Sequence, residues 1–196
     1  MPAPVPAFAS PPPPTPAETL LLEWEARPRT PAYALLRPAL LAHLSDFYAQ
    51  LHPDNPINLD PEDVRYTLRG ATGLGLATAA AGGPGRAGRV MQELLAALAA
   101  QRSAWPATDV AVGCLLSILS NPDDDLAMDE LTEITESLQQ YLGPEAELIF
   151  GHGLHPTADA VGLRIWLLVG YAAPAPAPRP YPPAPAQASA GGAAAA

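Results

Sequence analysis

The stretch NPINLDPEDV, residues 55–64, sets two carboxylates, Asp60 and Asp63, three residues apart where a loop turns into a helix. Acidic side chains in that pattern are either an ordinary helix start or half of an active site. The first reading is complete in itself. Asp60 is a good N-cap, Pro61 fits the first helical position, and Glu62 and Asp63 in the first turn complement the helix dipole. Such a cap is worth ~1 kcal/mol. The second reading needs partner groups from elsewhere in this chain or from another chain.

Other residues able to do chemistry are few. His152 and His155 in GHGLHP have the look of a metal pair, but no third ligand stands at a recognisable spacing, so they read as turn residues at a strand end. NPDDDLAMDE lacks the glycine and the spacing of a calcium loop and reads as a solvated turn that caps the helix near Met128. The glycine-rich pieces GLGLAT and GGPGRAG are not followed by the Lys-Ser/Thr of a phosphate-binding loop, and the second fits a tight strand-to-helix connection. Cys114, the single cysteine, lies in an apolar run and reads as inert core.

These residues must be positioned by one domain. A chain of 196 residues with a formal charge of −10 has room for one real core and offers no basic face to nucleic acid or to an anionic membrane. One cysteine excludes a disulfide framework and a cysteine metal cluster, and fits a reducing cytoplasm. The start MPAPVPAFAS lacks the features of a signal peptide, and no apolar run approaches the ~20 residues of a membrane span, so a cytoplasmic location without direct membrane contact is expected.

The 26 prolines cluster at the ends. Residues 1–31 read as an extended, disordered Pro-rich arm in which ETLLLEWEA is a short apolar piece able to dock, and residues 172–196 as a disordered Pro/Ala-rich tail. Between them, residues 32–171 form the domain. Residues 35–51 carry Leu36, Leu40, Leu41, Leu44, Phe47, Tyr48 and Leu51 on one stripe, with Arg37, His43, Ser45, Asp46 and Gln50 on the water-facing side. Pro38 suggests that the regular part of this helix begins there. A helix from DPEDVRYTLRG follows, then a buried strand leading into a loop at 73–83, a helix at 85–101 with Val90, Leu94, Leu95 and Leu98 inward, and a buried strand at 108–120. A helix at 127–143 carries Leu131, Ile134, Leu138 and Tyr141, and strands are expected at 146–156 and 162–171. The fold class is α/β (α+β), a two-layer sandwich in which helices lie against a mixed four-stranded sheet.

The order of these elements, together with INLDPEDVRYTLRG, GLGLATAAAGGPGRAGRVMQELLAAL, LAMDELTEITESLQQYLGPEAELIFGHGLHP and GLRIWLLVGY, resembles the C-terminal half of the bacterial cell-division protein FtsZ, the tubulin homologue. The resemblance runs from about Leu36 to Tyr171, and residues 32–57 correspond to a remnant of the family's central helix. Its most specific piece is the synergy loop, N-x-D-x-x-D, met by Asn58, Asp60 and Asp63. In the family a GTP-binding domain comes first, subunits stack head to tail, and this loop reaches the GTP of the next subunit. Its carboxylates position and polarise the water that attacks the γ-phosphate. The resemblance therefore implies that Asp60 and Asp63 act catalytically in trans, and that Asn58 contacts the neighbour's nucleotide or shapes the loop. Two departures stand out: the glycine signature GGGTGTG and its domain are absent, and Pro61 and Glu62 replace an aromatic and a small residue. The tail, ending GGAAAA, also lacks the family's acidic-apolar C-terminal peptide.

Expected from this is a stand-alone FtsZ C-terminal-like domain in cell division that has no cofactor of its own. It would bind full-length FtsZ through the loop, meet the GTP of that neighbouring subunit, modulate polymerisation and complete a GTPase site in trans. The alternative is a structural module with a degenerate loop, which binds partners through its Pro-rich arms.

Overall fold

A computed structural model of the chain describes residues 13–25, 31–50, 55–102, 106–154 and 162–174. The elements run α1 (Pro16–Glu25), α2 (Pro31–Gln50), α3 (Pro61–Thr67), β1 (Gly73–Ala81), α4 (Arg86–Arg102), β2 (Val110–Ser120), α5 (Met128–Leu142), β3 (Glu147–Leu154) and β4 (Leu163–Ala172). The first three helices each begin on a proline, where a missing N–H is no loss and the fixed φ is already helical. At α1 this is joined by a reciprocal cap: the Thr15 hydroxyl accepts from the Glu18 amide at 3.2 Å, and Glu18 accepts from the Thr15 amide at 2.7 Å. Part of the expected arm is thus a helix rather than an extended strap. It docks on α2 with Ala17, Leu20 and Leu21 buried, each leucine contributing roughly 1.5–3 kcal/mol.

The strands form one mixed sheet in the order β1-β4-β2-β3. β4 pairs antiparallel with both β1 and β2, while β2 and β3 are parallel and joined through α5. Side chains alternate between the two faces. One face carries Leu98 of α4 against Gly75, with α5 packed beside α4, and this is the expected two-layer body. The opposite face is covered by α2, whose Leu44 and Phe47 meet Leu115, Trp166 and Leu168, and by α3, whose Thr67 backbone lies over Gly113 and Gly170. A Cβ at Gly170 would stand 2.7 Å from the Thr67 carbonyl oxygen, so glycine there sets how closely α3 can approach. Cys114, Leu116, Ile118 and Leu167 are fully buried at the centre. Burial also pushes the Cys114 thiol far up, which keeps it an unreactive core group.

The outer edge of β1 is closed by a side chain. The Gln101 carboxamide accepts from the Leu76 amide at 3.0 Å and donates to the Leu76 carbonyl at 2.5 Å, standing in for one residue of a further strand. No helix among the described residues is long and apolar enough to cross a membrane.

Two expectations about α2 need correction. Pro38 lies inside the helix, seven residues past its start, and is exposed, so its ring meets water on the solvent side. His43 does not face water: its Nδ1 is 3.3 Å from the Thr78 hydroxyl on β1, and the imidazole is half-buried against the sheet. Desolvation lowers its pKa to about 4, outweighing the pull of Asp46. The helical phase explains the placement, since position 43 falls between Leu40 and Phe47 on the buried stripe. Leu95 and Leu131, expected inward, are only partly buried, and Tyr141 is exposed at 39%. The side chains of Leu36 and Leu51 lie outside the described residues, as do residues 1–12 and 175–196.

A histidine whose folded pKa is depressed stays neutral while its unfolded counterpart protonates, so stability is complete above the unfolded pKa and falls as pH drops toward the folded one. For His43 the window runs from about 6.5 to about 4, and the loss amounts to on the order of 3 kcal/mol at its lower end. Urea unfolding at pH 7 and pH 4.5 should show wild-type stability falling, and His43→Leu should remove more than half of that fall. An unchanged difference between the two pH values in the variant would refute the assignment.

Candidate functional site

The loop at residues 55–60 is laid along the free edge of β3. Ile57 and His152 exchange both backbone bonds, Ile57 N–H to His152 O at 3.1 Å and His152 N–H to Ile57 O at 2.9 Å. On either side of His152 the strand has glycine. A Cβ at Gly151 would meet Leu59 Cδ1 at 2.9 Å, and one at Gly153 would meet Asn55 Oδ1 at 2.8 Å. The two glycines are the space in which the loop lies. Leu59 is buried there, whereas Asn58 and Asp60 are exposed.

From this seat the chain turns into α3 through a full capping box. Asp60 Oδ1 accepts from the Glu62 amide at 2.7 Å and the Asp63 amide at 3.1 Å, and Asp63 Oδ2 accepts from the Asp60 amide at 2.8 Å. Pro61 takes the first helical position, and Glu62 makes an exposed ion pair with Arg65 at 2.6 Å that contributes little. Val64 and Thr67 anchor the helix to the sheet beneath. Each carboxylate thus spends one oxygen on the cap. Among the described residues, Asp60 Oδ2 and Asp63 Oδ1 accept no hydrogen bond. Each side chain, exposed at Asp60 and half-buried at Asp63, keeps one further acceptor oxygen whose direction its capping partner fixes, and such an oxygen can orient a water molecule or meet a cation. The loop NPINLDPED brings no Ser, Thr, Cys, His or Lys beside them, so the other groups of a reaction centre would come from elsewhere.

His152 was expected at a turn and is instead buried within β3, 8% exposed. Its Nε2 is 2.8 Å from the Ser120 hydroxyl and 3.3 Å from Asp125 Oδ1, and Ser120 donates its one proton to Asp125 at 2.7 Å. Desolvation lowers the imidazole's pKa, against the opposing pull of Asp125. The residue types are those of a hydrolytic triad, but the arrangement is not one. Ser120 is fully buried and gives its proton to the carboxylate, so it has no substrate to attack. Alternation along β3 places His152 inward, and this signal was open to sequence reasoning. His155 lies outside the described residues.

The aspartate run is more than a solvated turn. Arg86, 3% exposed at the start of α4, commits all five donors: two to Glu130 at 2.7 and 2.8 Å, two to Asp124 at 2.6 and 2.9 Å, and one to the Asp125 carbonyl at 2.8 Å. The Arg86 guanidinium beside it holds Glu130 below the usual carboxylate range. α5 starts at Ala127 with no side-chain cap from the aspartates; Glu130 closes the turn by accepting from the Ala127 amide at 3.1 Å. The cleft beside this network, about 570 Å³, is lined by Gly83 and Gly85 and by Asp124, Asp129, Glu130 and Glu133. Arg89 donates to the Pro84 and Gly82 carbonyls of the GGPG turn. The wall of carboxylates repels phosphate, and Arg86 and Arg89 are both committed to protein acceptors, so GGPGRAG is a structural connection. Among the described residues, no group of His, Cys, Asp and Glu side chains is placed to hold a metal ion.

No family model matches the sequence, and no curated protein does. Solved structures do. The chain is similar to the FtsZ dimer, empty, of M. jannaschii, with 19% identity and a TM-score of 0.50 over 79% of this chain and 43% of that one. It is also similar to TubZ of Bacillus thuringiensis serovar israelensis in its GTPγS-form protofilament, with 14% identity and a TM-score of 0.51 over 69% of this chain and 35% of that one. The fold is FtsZ/tubulin-like. The chain spans less than half the length of either structure.

Because the two aspartates share one capping box, Asp60→Ala and Asp63→Ala should each destabilise by ~1 kcal/mol, and the double variant by clearly less than the sum. Asp60→Asn, which keeps the acceptor, should be nearly neutral. Thermal and urea unfolding of the four variants checks this. Full additivity would mean that the two caps act separately.

Proposed function

We propose that this chain is a stand-alone FtsZ C-terminal-like domain that binds full-length FtsZ through the loop at Asn58–Asp63 and modulates its polymerisation and GTP hydrolysis. The observation that supports this reading is the division of labour within the two carboxylates. Asp60 and Asp63 each hold the helix start with one oxygen and leave the other outside the cap, on a loop seated against the sheet. Stability alone needs only the capping oxygens. Presentation to a neighbour needs the outer pair, with the loop fixed beforehand so that little ordering is lost on contact.

In this reading the nucleotide belongs to the neighbouring FtsZ subunit. Asn58 contacts it or shapes the loop, and Asp60 and Asp63 orient the attacking water by electrostatic positioning. In this reading the chain meets FtsZ through the loop alone and so ends a filament instead of extending it. Glu62, tied to Arg65 and directed outward, adds a third negative group near the contact.

The test is sedimentation of full-length FtsZ with GTP, with and without the whole chain at several-fold molar excess, with phosphate release followed in parallel. Polymer mass should fall. Asp60→Asn with Asp63→Asn keeps both capping acceptors and removes both charges, so this variant should still reduce polymer mass while losing any stimulation of turnover. Unchanged polymer mass and turnover with the wild-type chain would end the proposal. Partner binding that disappears on removing residues 1–12 or 175–196, and survives loss of both aspartates, would favour the Pro-rich arms instead.

A further inference from the structure

We infer that His152 is the positioning residue of the 55–60 loop: its main chain holds the loop, and its side chain holds the strand end on which the loop sits. The inference concerns the placement of Asp60 and Asp63. Its consequence for a partner's GTP turnover rests on the reading given under Proposed function.

The argument begins with the weakness of the seat. Gly151 and Gly153 must lack side chains, because Leu59 and Asn55 occupy that space. Glycine in a strand is less favourable than alanine by roughly 0.5–1 kcal/mol, since it has more freedom to lose and nothing to pack. Two of them flanking one residue, near the end of an edge strand, would leave that end prone to fray. Yet this residue carries both backbone bonds to Ile57 of the loop. Something has to fix it from the other face.

The imidazole does so. With the single Ser120 proton given to Asp125, His152 donates from Nε2 to the Ser120 oxygen, a chain of two bonds at 2.8 and 2.7 Å of which the first is buried and the second opens toward the surface at Asp125. Ser120 is the last residue of β2, paired with Leu154 at the end of β3, so the side chain ties the two strand ends together beyond their ladder. Asp125, in turn, is held through its carbonyl by Arg86, which also grips Asp124 and Glu130. The charged group beside the imidazole is therefore Asp125 from the turn, which leads on to Arg86 of α4 and so to Asp124 and to Glu130 of α5. Through them the loop is connected to the start of α4 and α5 on the opposite face of the sheet. A wholly apolar residue at 152 would fill the volume but would leave the Ser120 oxygen without its donor.

Native-state amide exchange on the full chain tests the inference. In His152→Ala the Ile57 and His152-position amides should exchange at least tenfold faster than in wild type, while amides of β4 hold their protection. His152→Gln, which can donate to Ser120 from a similar position, should restore most of the protection, and Ser120→Ala should reproduce the loss with the imidazole still in place. Unchanged Ile57 protection in both His152→Ala and Ser120→Ala would overturn the inference. So would equal loss across β4, which marks global destabilisation, or a failure of glutamine to rescue. If His152→Ala does not fold, Ser120→Ala against wild type decides by the same readout. Exchange does not depend on any partner: loosening of Ile57 with no effect on FtsZ would keep the positioning role and count against the proposed function alone.

Discussion

The pairing of β4 with its two neighbours is the interaction on which the rest of the structure depends. This strand, the last described element, lies between β1 and β2 and is paired to both along nearly its whole length. Without it β1 has no strand partner, and the β2–α5–β3 unit is joined to α4 only through the α4–α5 packing and the Arg86 network. Its sequence, LRIWLLVGYA, is apolar on both faces, as a central strand covered on both sides requires. Leu163, Ile165, Leu167 and Val169 meet the α4 side, while Trp166 and Leu168 meet α2. Gly73 and Tyr171 are nearly a hundred positions apart and directly opposed, so the sheet closes only when the end of the domain returns to its beginning.

Most of this was legible before any coordinates. Long periodic stretches declared four of the helices and all four strands, and the boundaries fell within a few residues, because burial on one or two faces leaves a strong pattern. What escaped has physical reasons. α1 was hidden by proline density: Thr15-Pro16-Ala17-Glu18 is a capping box with proline at the first helical position, but among so many prolines it reads as part of an extended arm. His43 and His152 were assigned by polarity instead of by phase. Both positions belong to buried stripes, and a neutral imidazole with a hydroxyl partner is tolerated in such places. Arg86 could not have been found at all, since its five acceptors come from a turn and a helix some 40 residues away that only the fold brings together.

The loop shows the same division. The spacing of Asp60 and Asp63 and the proline between them announce a capped helix, and the structure contains it. A residue string cannot say which carboxylate oxygen does the capping, and that detail separates a purely structural motif from one with something left to offer. Nor does it reveal that the glycines at 151 and 153 belong to this loop, nearly a hundred residues upstream. GHG was attractive for its histidine; its glycines turned out to be shaped by Leu59 and Asn55.

The Gln101 amide that closes the outer edge of β1 has a wider meaning. An alanine-rich edge strand such as GLGLATAAA is a natural template for an incoming strand, and edges of this kind invite runaway association. At Leu76 the template is already read by a side chain of the same molecule. On the far side of the sheet the backbone of Ile57 occupies β3 in the same manner. Both margins carry a one-residue stopper made from the chain itself. A newcomer that sought to pair with the sheet at Leu76 or at His152 would have to evict one of them first.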